Sequence, residues 1–321
     1  SGRQAVLKSL LITRRLPDRV LSAARARFAV TLRDDGPMRA DELRAALRDF
    51  DLILPALGDH FQAAVFADVP RPRAVILANF GAGYNHIDVA AARAAGLQVS
   101  NTPGAVTDAT ADIALTLILM TARRAGEGER LLRAGGWGGW TPTQLLGRHV
   151  TGKRLGIIGM GRIGQAIARR GHYGFGMEVV FHNRSPLTDP GLPARQVPLA
   201  AALAADFVVV AVPGSAATRH LINAETLSLM SPGGILINIS RGDVVDEAAL
   251  VAALQTGQIA GAGLDVYEFE PKIHPGLIAL ENVTLLPHLG TAALEVHEAM
   301  GLMALDNLIA FAEGRPLPNP V

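Results

Sequence analysis

Three polar residues that could hold a proton or an anion lie just after predicted strands in the second half of the chain. They are Arg241, Glu270 and His288, and the apolar runs before them are residues 235–239, 261–264 and 283–286. Ligands of doubly wound proteins bind at the carboxyl ends of parallel strands, so we expect the three side chains at one sheet edge. A lone arginine or histidine there is usually a surface or turn residue. The prediction of acid–base chemistry therefore rests on their joint placement.

A glycine-rich turn supplies a second site. Residues 155–158 form a buried-strand run, the turn carries Gly159, Gly161 and Gly164, and a helix-forming stretch follows at residues 165–170. In this G-x-G-x-x-G context the first glycine permits a tight turn, the second lets a pyrophosphate approach the backbone, and the third lets the helix pack on the strand. Free N–H groups at the helix start favour an anion. The turn therefore predicts a dinucleotide-binding domain.

The residues after the next strand bear on which dinucleotide binds. An NAD site usually places Asp or Glu there for the ribose 2′-hydroxyl. Here the chain has Asn183, Arg184 and Ser185, and the next carboxylate is Asp189. Arg184 can pair with a 2′-phosphate and its neighbours can donate hydrogen bonds, although a solvated loop arginine is the plainer interpretation. The sequence favours NADP(H) as cofactor and leaves NAD(H) possible.

Short apolar runs alternate with alanine-rich helical stretches, a pattern typical of α/β proteins with doubly wound parallel sheets. The length of 321 residues favours two domains. Strands are predicted at residues 6–12, 52–54, 75–78, 97–99, 154–158, 178–181, 207–212, 235–239, 261–264 and 283–286. Helices are predicted at residues 40–47, 89–95, 106–134 and 293–313.

Composition excludes several classes of function. With 30 Lys+Arg against 29 Asp+Glu, there is no electrostatic argument for a nucleic-acid or membrane-surface partner. The absence of cysteine excludes disulfides, thiolate metal sites and a catalytic thiol. His86 and His297 lack the spacing of zinc ligands, so no metal is predicted. No apolar run approaches a membrane span and no secretory signal is visible; we expect a soluble, cytoplasmic protein.

By these motifs the chain resembles the D-2-hydroxyacid dehydrogenase family, and more closely its glyoxylate/hydroxypyruvate reductase branch. The matching stretches cover residues 79–88, 101–112, 156–164, 238–246, 261–271 and 287–291. The resemblance implies two Rossmann-like or flavodoxin-like domains with parallel sheets. Residues 1–100 and 289–321 would form the substrate-binding domain, and residues 101–288 the dinucleotide-binding domain inserted into it. It also implies a homodimer and catalysis between the two domains.

The resemblance assigns roles to the polar trio. Arg241 would hold the carboxylate of a 2-oxo acid and polarise its carbonyl. His288 would be the general acid that protonates the carbonyl oxygen. Glu270 would orient His288 and raise its pKa, which agrees with the stabilisation of an imidazolium by a neighbouring carboxylate.

Further site residues are implied in the same way. Backbone N–H groups around Ala82 and Gly83 would bind the substrate carboxylate, together with Arg241 and His288. Trp140 would reach the partner subunit's substrate site, the alternative being an ordinary interface or core aromatic. The cofactor would contact Thr107, Gly159, Gly161, Arg162, Ile163, Gly164, Asn183, Arg184, Ser185, Val212, Pro213, Ile239, Asp265, His288 and Gly290.

The predicted function is NADPH-dependent reduction of small 2-oxo acids, glyoxylate to glycolate and hydroxypyruvate to D-glycerate. A reductase of bulkier 2-oxo acids such as phenylpyruvate is the nearest alternative. A formate dehydrogenase is disfavoured because that relative pairs its histidine with glutamine, whereas position 270 is Glu. Corepressor-like scaffolds that sense dinucleotides share the fold and the polar trio, so a non-catalytic protein is a further alternative.

Overall fold

Short runs of buried apolar residues form the strands of two separate sheets. The computed structural model describes residues 6–104 and 106–321, and within them the strands of both sheets pair only in parallel. Parallel sheets are covered on both faces, which explains strands such as Leu52–Leu54 and Phe207–Val210 in which every residue is buried. The predicted α/β class with two doubly wound parallel sheets is confirmed.

The chain divides into two compact units. The discontinuous unit comprises the described residues up to Val106 together with Ala292–Val321, and the continuous unit comprises Thr107–Thr291. The assignment of substrate binding to the first and of cofactor binding to the second stays a prediction.

The discontinuous unit has a five-stranded sheet in the order β2-β1-β3-β4-β5, the order of flavodoxin-like folds. Its strands are β1 (Ser9–Ile12), β2 (Ala29–Leu32), β3 (Leu52–Leu54), β4 (Ile76–Ala78) and β5 (Gln98–Ser100). Its helices are α1 (Asp18–Arg25), α2 (Ala40–Asp49), α3 (Ala63–Asp68), α4 (Val89–Ala94) and, at the end of the chain, α12 (Leu294–Ala312).

Side chains that alternate along β1 show how this sheet is covered. Leu10 and Ile12 are buried in a cluster with Leu305 of α12, whereas Leu11 is buried in a cluster with Leu47 of α2. Successive strand residues point to opposite faces, so the two clusters form the layers on either side of the sheet.

The continuous unit has a seven-stranded sheet in the order β12-β11-β10-β9-β6-β7-β8. Its strands are β6 (Arg154–Ile158), β7 (Glu178–His182), β8 (Ala194–Gln196), β9 (Phe207–Val210), β10 (Ile235–Asn238), β11 (Gly261–Leu264) and β12 (Val283–Leu285). Its helices are α5 (Thr107–Ala122), α6 (Ala125–Arg133), α7 (Arg162–Arg169), α8 (Leu199–Leu203), α9 (Ala224–Leu227), α10 (Glu247–Gln255) and α11 (Pro275–Ile278). The strand order reverses between β6 and β9, and ligands of such sheets bind in the crevice at this reversal.

Several predicted elements differ from the observed ones. The single helix predicted at residues 106–134 is two helices, because Arg124 has a left-handed φ of 55° that ends the first helical path. Strands β2 and β8 were not predicted; both are only partly buried and lie at the edges of their sheets. The strand predicted from Val6 begins at Ser9, and the one predicted to Val212 ends at Val210.

Helix length and composition also bear on membrane insertion. Within residues 6–104 and 106–321, none of the helices is both long enough and apolar enough to cross a bilayer.

Candidate active site

The glycine turn after β6 has the geometry that its sequence predicts. Gly159 has a φ of +96°, and a Cβ there would lie 2.8 Å from Cγ1 of Val212. A Cβ on Gly164 would lie 2.2 Å from the carbonyl oxygen of Gly159. Both positions therefore require glycine, the first for the turn and the second for the close approach of α7.

The middle glycine leaves space for a ligand. A Cβ built on Gly161 would meet no atom within 4 Å, and Gly161 is the residue that caps α7. The first N–H groups of the helix, including those of Arg162 and Ile163, have no partner within the helix. An open space beside these donors fits the pyrophosphate of a dinucleotide.

The three residues after β7 have different environments. The side chain of Asn183 is engaged: its Oδ1 accepts from the N–H of Met160 at 3.3 Å, and its Nδ2 donates to the carbonyl of Ser185 at 3.1 Å. Arg184 is exposed and makes no hydrogen bond or ion pair within the described part of the chain. The Arg184 guanidinium is therefore the group here that can take up a further anion.

Two of the three predicted catalytic residues are in direct contact. His288 Nδ1 lies 3.0 Å from Glu270 Oε2, and the other carboxylate oxygen accepts from the N–H of Tyr267 at 3.1 Å. The side chains of His288 and Glu270 are 37% and 31% exposed, so the pair is open to small molecules.

The contact changes the proton affinity of both groups. The hydrogen bond to Glu270 and its negative charge raise the pKa of His288 above its ordinary value, although burial and the charge of Arg241 oppose this. Burial by itself would raise the pKa of Glu270, but the hydrogen bond with His288 and the charges of His288 and Arg241 lower it. The pair is therefore an imidazolium beside a carboxylate over a wider pH range than the two side chains would be if they were apart.

Arg241 is held by the loop after β10. Its Nη1 donates to the carbonyl of Ser240 at 3.0 Å, and its other N–H groups donate to none of the residues that the structure describes. A Cβ on the next residue, Gly242, would lie 1.8 Å from the carbonyl oxygen of Tyr267. Glycine at 242 thus lets the segment carrying Arg241 pack against the segment carrying Glu270.

Asp265 fixes the backbone that follows His288. The Asp265 carboxylate is buried and accepts from the N–H groups of Leu289 at 2.6 Å and Gly290 at 2.8 Å. Burial raises the pKa of Asp265, although these two hydrogen bonds oppose the effect. A contact of Asp265 or Gly290 with cofactor stays a prediction.

The other predicted residues of the continuous unit lie in different parts of it. Thr107 begins α5, Val212 and Pro213 follow β9, and Ile239 is buried after β10. Trp140 is 81% exposed.

Ala82 and Gly83 belong to the discontinuous unit and follow β4. Each is half-buried, and neither N–H donates to a residue that the structure describes. The carbonyls around them are bound by side chains of Asn79 and Asn101, two residues that the sequence analysis did not assign a role. Their position just after two neighbouring strands is the signal that could have identified them.

A second histidine–glutamate pair was also missed. His220 Nε2 contacts Glu268 Oε1, and the ligand atoms of His220, Asp246 and Glu268 lie within 4.8 Å of one another. Glu268 lies in the same motif as Glu270, but nothing in the sequence links it to a histidine 48 residues away. The predicted lack of a metal stays a prediction.

One cavity in the described residues lies away from His288 and Glu270. It has a volume of about 440 Å³ and is lined by Arg124, Ile235, Ala260 and Val283, among others. Ile235 and Val283 begin their strands, so this cavity lies at the strand edge opposite to His288.

Comparison with known proteins adds the family context. Residues 115–290 match the model of the NAD binding domain of D-isomer specific 2-hydroxyacid dehydrogenases. The chain is 43% identical over 320 residues to the glyoxylate reductase of Thermococcus onnurineus, covering 97% of this chain and 95% of that protein.

Solved structures agree with this assignment. The TT0316 protein of Thermus thermophilus superposes with a TM-score of 0.91 at 40% identity, covering 98% of this chain and 99% of the other. The NADPH-dependent glyoxylate/hydroxypyruvate reductase of Sinorhizobium meliloti, solved with NADP and malonate, has a TM-score of 0.84 at 38% identity, covering 98% and 96% of the two chains. From the domain match and these similarities along the whole chain, we conclude that the chain belongs to the D-isomer specific 2-hydroxyacid dehydrogenase family.

Proposed function

We propose that this protein reduces small 2-oxo acids, glyoxylate to glycolate and hydroxypyruvate to D-glycerate, with NADPH as the preferred reductant. The observation that carries the proposal is the 3.0 Å contact between His288 and Glu270. The positive charge of Arg241 acts on this pair, and the same unit contains the glycine turn. The Thermococcus and Sinorhizobium relatives are named for glyoxylate or glyoxylate/hydroxypyruvate reduction, which supports the substrate class.

His288 and Arg241 would have separate roles in this reduction. When bound, the reduced nicotinamide supplies a hydride to C2, so that a 2-oxo acid, NADPH and one proton give a 2-hydroxy acid and NADP⁺. His288 donates that proton from Nε2, since its Nδ1 is engaged by Glu270. The raised pKa of His288 keeps the proton available near neutral pH. The unengaged N–H groups of Arg241 bind the substrate carboxylate and polarise the carbonyl.

The first experiment is a matrix of NADPH and NADH against glyoxylate, hydroxypyruvate, pyruvate and phenylpyruvate, followed by absorbance of the reduced nicotinamide. We expect fast NADPH oxidation with glyoxylate and hydroxypyruvate. Turnover of phenylpyruvate alone would overturn the substrate assignment. Cofactor binding without any turnover would favour the scaffold alternative.

The preference for NADPH rests on Arg184, whose guanidinium has no partner among the described residues. Arg184→Ala should weaken NADPH much more than NADH, because only NADPH loses a phosphate pair. Arg195→Ala is the matched control, since it removes an exposed arginine from the adjacent strand β8. Equal losses for both cofactors in Arg184→Ala would refute the preference.

We also infer a homodimer, from exposed apolar side chains around α6. The helix has no buried residue, and Leu132, Trp137, Trp140 and Leu146 are 58%, 52%, 81% and 64% exposed. Large apolar side chains clustered on a surface usually mark an interface. A second copy of the chain would cover this segment, and Trp140 would reach the partner subunit's substrate site.

Sedimentation and kinetics of two tryptophan variants would test this arrangement. Trp137 donates to Gln144 at 3.1 Å within the same segment, so Trp137→Ala serves as the control for loss of an aromatic side chain. We expect a dimer for the unmodified protein, and a raised KM for the 2-oxo acid in Trp140→Ala only. A monomeric protein would exclude the dimer, and equal KM changes would remove Trp140 from the substrate site.

A further inference from the structure

The loop after β4 has its carbonyl groups bound on one side by buried donors. The carbonyl of Gly81 accepts from the backbone N–H of Thr102 at 3.0 Å and from Asn79 Nδ2 at 3.2 Å. The carbonyl of Ala82 accepts from Asn101 Nδ2 at 2.9 Å, and that of Gly83 from Asn79 Nδ2 at 3.0 Å. Three consecutive carbonyls are therefore directed toward the protein.

Peptide geometry determines where the N–H groups of the same peptides point. In a trans peptide the C=O of one residue and the N–H of the next point in opposite directions. Turning the carbonyls of residues 81–83 inward therefore turns the N–H groups of Ala82, Gly83 and Tyr84 outward. None of these three N–H groups donates to an atom in residues 6–104 or 106–321. Successive unpaired N–H groups form a concave site for an anion.

The side-chain amide of Asn79 can adopt only one of its two orientations. Carbonyl oxygens accept but do not donate, so the amide NH₂ of Asn79 must face Gly81 and Gly83. Its Oδ1 then faces His86 Nε2 at 2.8 Å, which must carry the proton. Asn79 and His86 are 0% and 4% exposed, so solvent does not compete for this contact. His86 thus fixes the orientation of the amide that fixes the loop.

The other supports come from the neighbouring strand. Asn101 and Thr102 follow β5, which pairs with β4 so that Ala78 lies opposite Ser100. Thr102 Oγ1 accepts from the N–H of Gly81 at 3.0 Å, which removes that donor from the set that faces outward. The side chains that contact the loop backbone directly, those of Asn79, Asn101 and Thr102, therefore all come from the carboxyl ends of two adjacent strands.

We infer that Asn79, with His86 behind it, and Asn101 are positioning residues that aim the N–H groups of Ala82, Gly83 and Tyr84 at the carboxylate of the substrate. The inference rests on the proposed function for the identity of that anion. It adds a third donor, the N–H of Tyr84, and names the side chains that orient the set. Without the two asparagine amides, the carbonyls could rotate toward the substrate and repel it.

The test is Asn79→Asp, which keeps the shape but places a carboxylate against two carbonyls. The substitution should raise the KM for glyoxylate and the Kd for oxamate, a non-reducible carboxylate probe, by roughly tenfold to a hundredfold, the range for a lost hydrogen bond to a charged group. The KM for NADPH should change little. Asn85→Asp is the matched control, because Asn85 is exposed in the same loop and its side chain has no hydrogen-bond partner within the described residues.

A milder variant protects the test against misfolding. Asn101→Ser removes only the contact with Ala82 and should raise the KM for glyoxylate by a smaller factor, with kcat nearly unchanged. Equal KM and Kd values in Asn79→Asp and Asn85→Asp, or an unchanged KM in Asn101→Ser, would overturn the inference.

The oxamate measurement separates this inference from the proposed reaction. If the unmodified protein binds oxamate but turns over no 2-oxo acid, and Asn79→Asp loses that binding, the positioning role stands and the proposed reaction falls. If the unmodified protein turns over glyoxylate and the two aspartate variants behave alike, the reaction stands and the positioning role falls. If it neither binds oxamate nor turns over, both fall.

Discussion

Two histidine–glutamate pairs occupy the same strand edge of the continuous unit. Glu268 and Glu270 lie two residues apart on the segment after β11, and each contacts a histidine, His220 and His288 respectively. Both histidines have left-handed backbones, with φ values of 51° and 54°. Residue type and local conformation therefore do not distinguish the two pairs.

What surrounds each pair does distinguish them. Glu268 is 7% exposed; it accepts from the N–H of Glu247 at 3.2 Å, and its own N–H donates to the Glu247 carboxylate at 2.8 Å. The second nitrogen of His220 lies 4.0 Å from Asp246, so both its nitrogens face carboxylates. The second nitrogen of His288 has no partner among the described residues. A general acid needs a nitrogen free for the substrate, and only His288 keeps one.

The largest expected effect that distinguishes the pairs is on turnover. His288→Asn should lower kcat by roughly 10²- to 10⁴-fold, the usual contribution of a positioned acid, with little change in NADPH affinity. His220→Asn, the same change in the other pair, should lower kcat only a few-fold. Stopped-flow and steady-state assays would measure kcat for both variants. Comparable losses of kcat would mean that the free nitrogen of His288 does not distinguish the two pairs.

A smaller effect is expected on pH dependence. Glu270 raises the pKa of His288, so Glu270→Gln should lower it. Reduction needs protonated His288, and its rate is lost as pH rises through this pKa. The alkaline limb of kcat/KM for reduction should therefore move to lower pH in Glu270→Gln. Glu268→Gln is the control, and a shift of equal size there would show that the two carboxylates act on the same proton.

Of the variants in the two pairs, Glu268→Ala is expected to have the smallest effect on activity and the clearest effect on stability. Glu268→Ala leaves the N–H of Glu247 and the His220 ring without their acceptor, and should lower the free energy of unfolding by about 1–3 kcal/mol. Glu270→Ala should cost less, because its side chain is 31% exposed and water can replace it. Urea unfolding of both variants would measure the difference. A larger loss of unfolding free energy in Glu270→Ala would mean that the His288–Glu270 pair, and not the His220–Glu268 pair, is the structural one.

Local sequence was enough to predict much of this molecule. The run before Gly159 and the three glycines are contiguous, so the strand, turn and helix could be predicted together. Arg241, Glu270 and His288 could be placed at one edge because each follows an apolar strand, and the contact of His288 with Glu270 agrees with that placement. Such features depend on neighbouring residues and on the rule that parallel strands share an edge.

Other features could not be predicted in this way. The break at Arg124 lies within a sequence that is helical in pattern on both sides, and its left-handed conformation is local to one residue. Strands β2 and β8 are partly exposed edge strands, and pairing with a neighbour rather than hydrophobicity identifies them.

The sequence by itself determined the two parallel sheets, the glycine turn and the placement of Arg241, Glu270 and His288 after strands, because periodicity and short motifs encode them. The roles of His288 as acid and Glu270 as its carboxylate partner came from the resemblance to a known family. Only the tertiary structure decided which histidine keeps a free nitrogen, and which asparagine amides bind the carbonyls of the loop that contains Ala82. Those outcomes depend on side chains from different strands meeting after folding, as His220 and Glu268 do across 48 residues. Such hydrogen-bond partners are close in space but distant in the sequence, so a local sequence pattern cannot predict them.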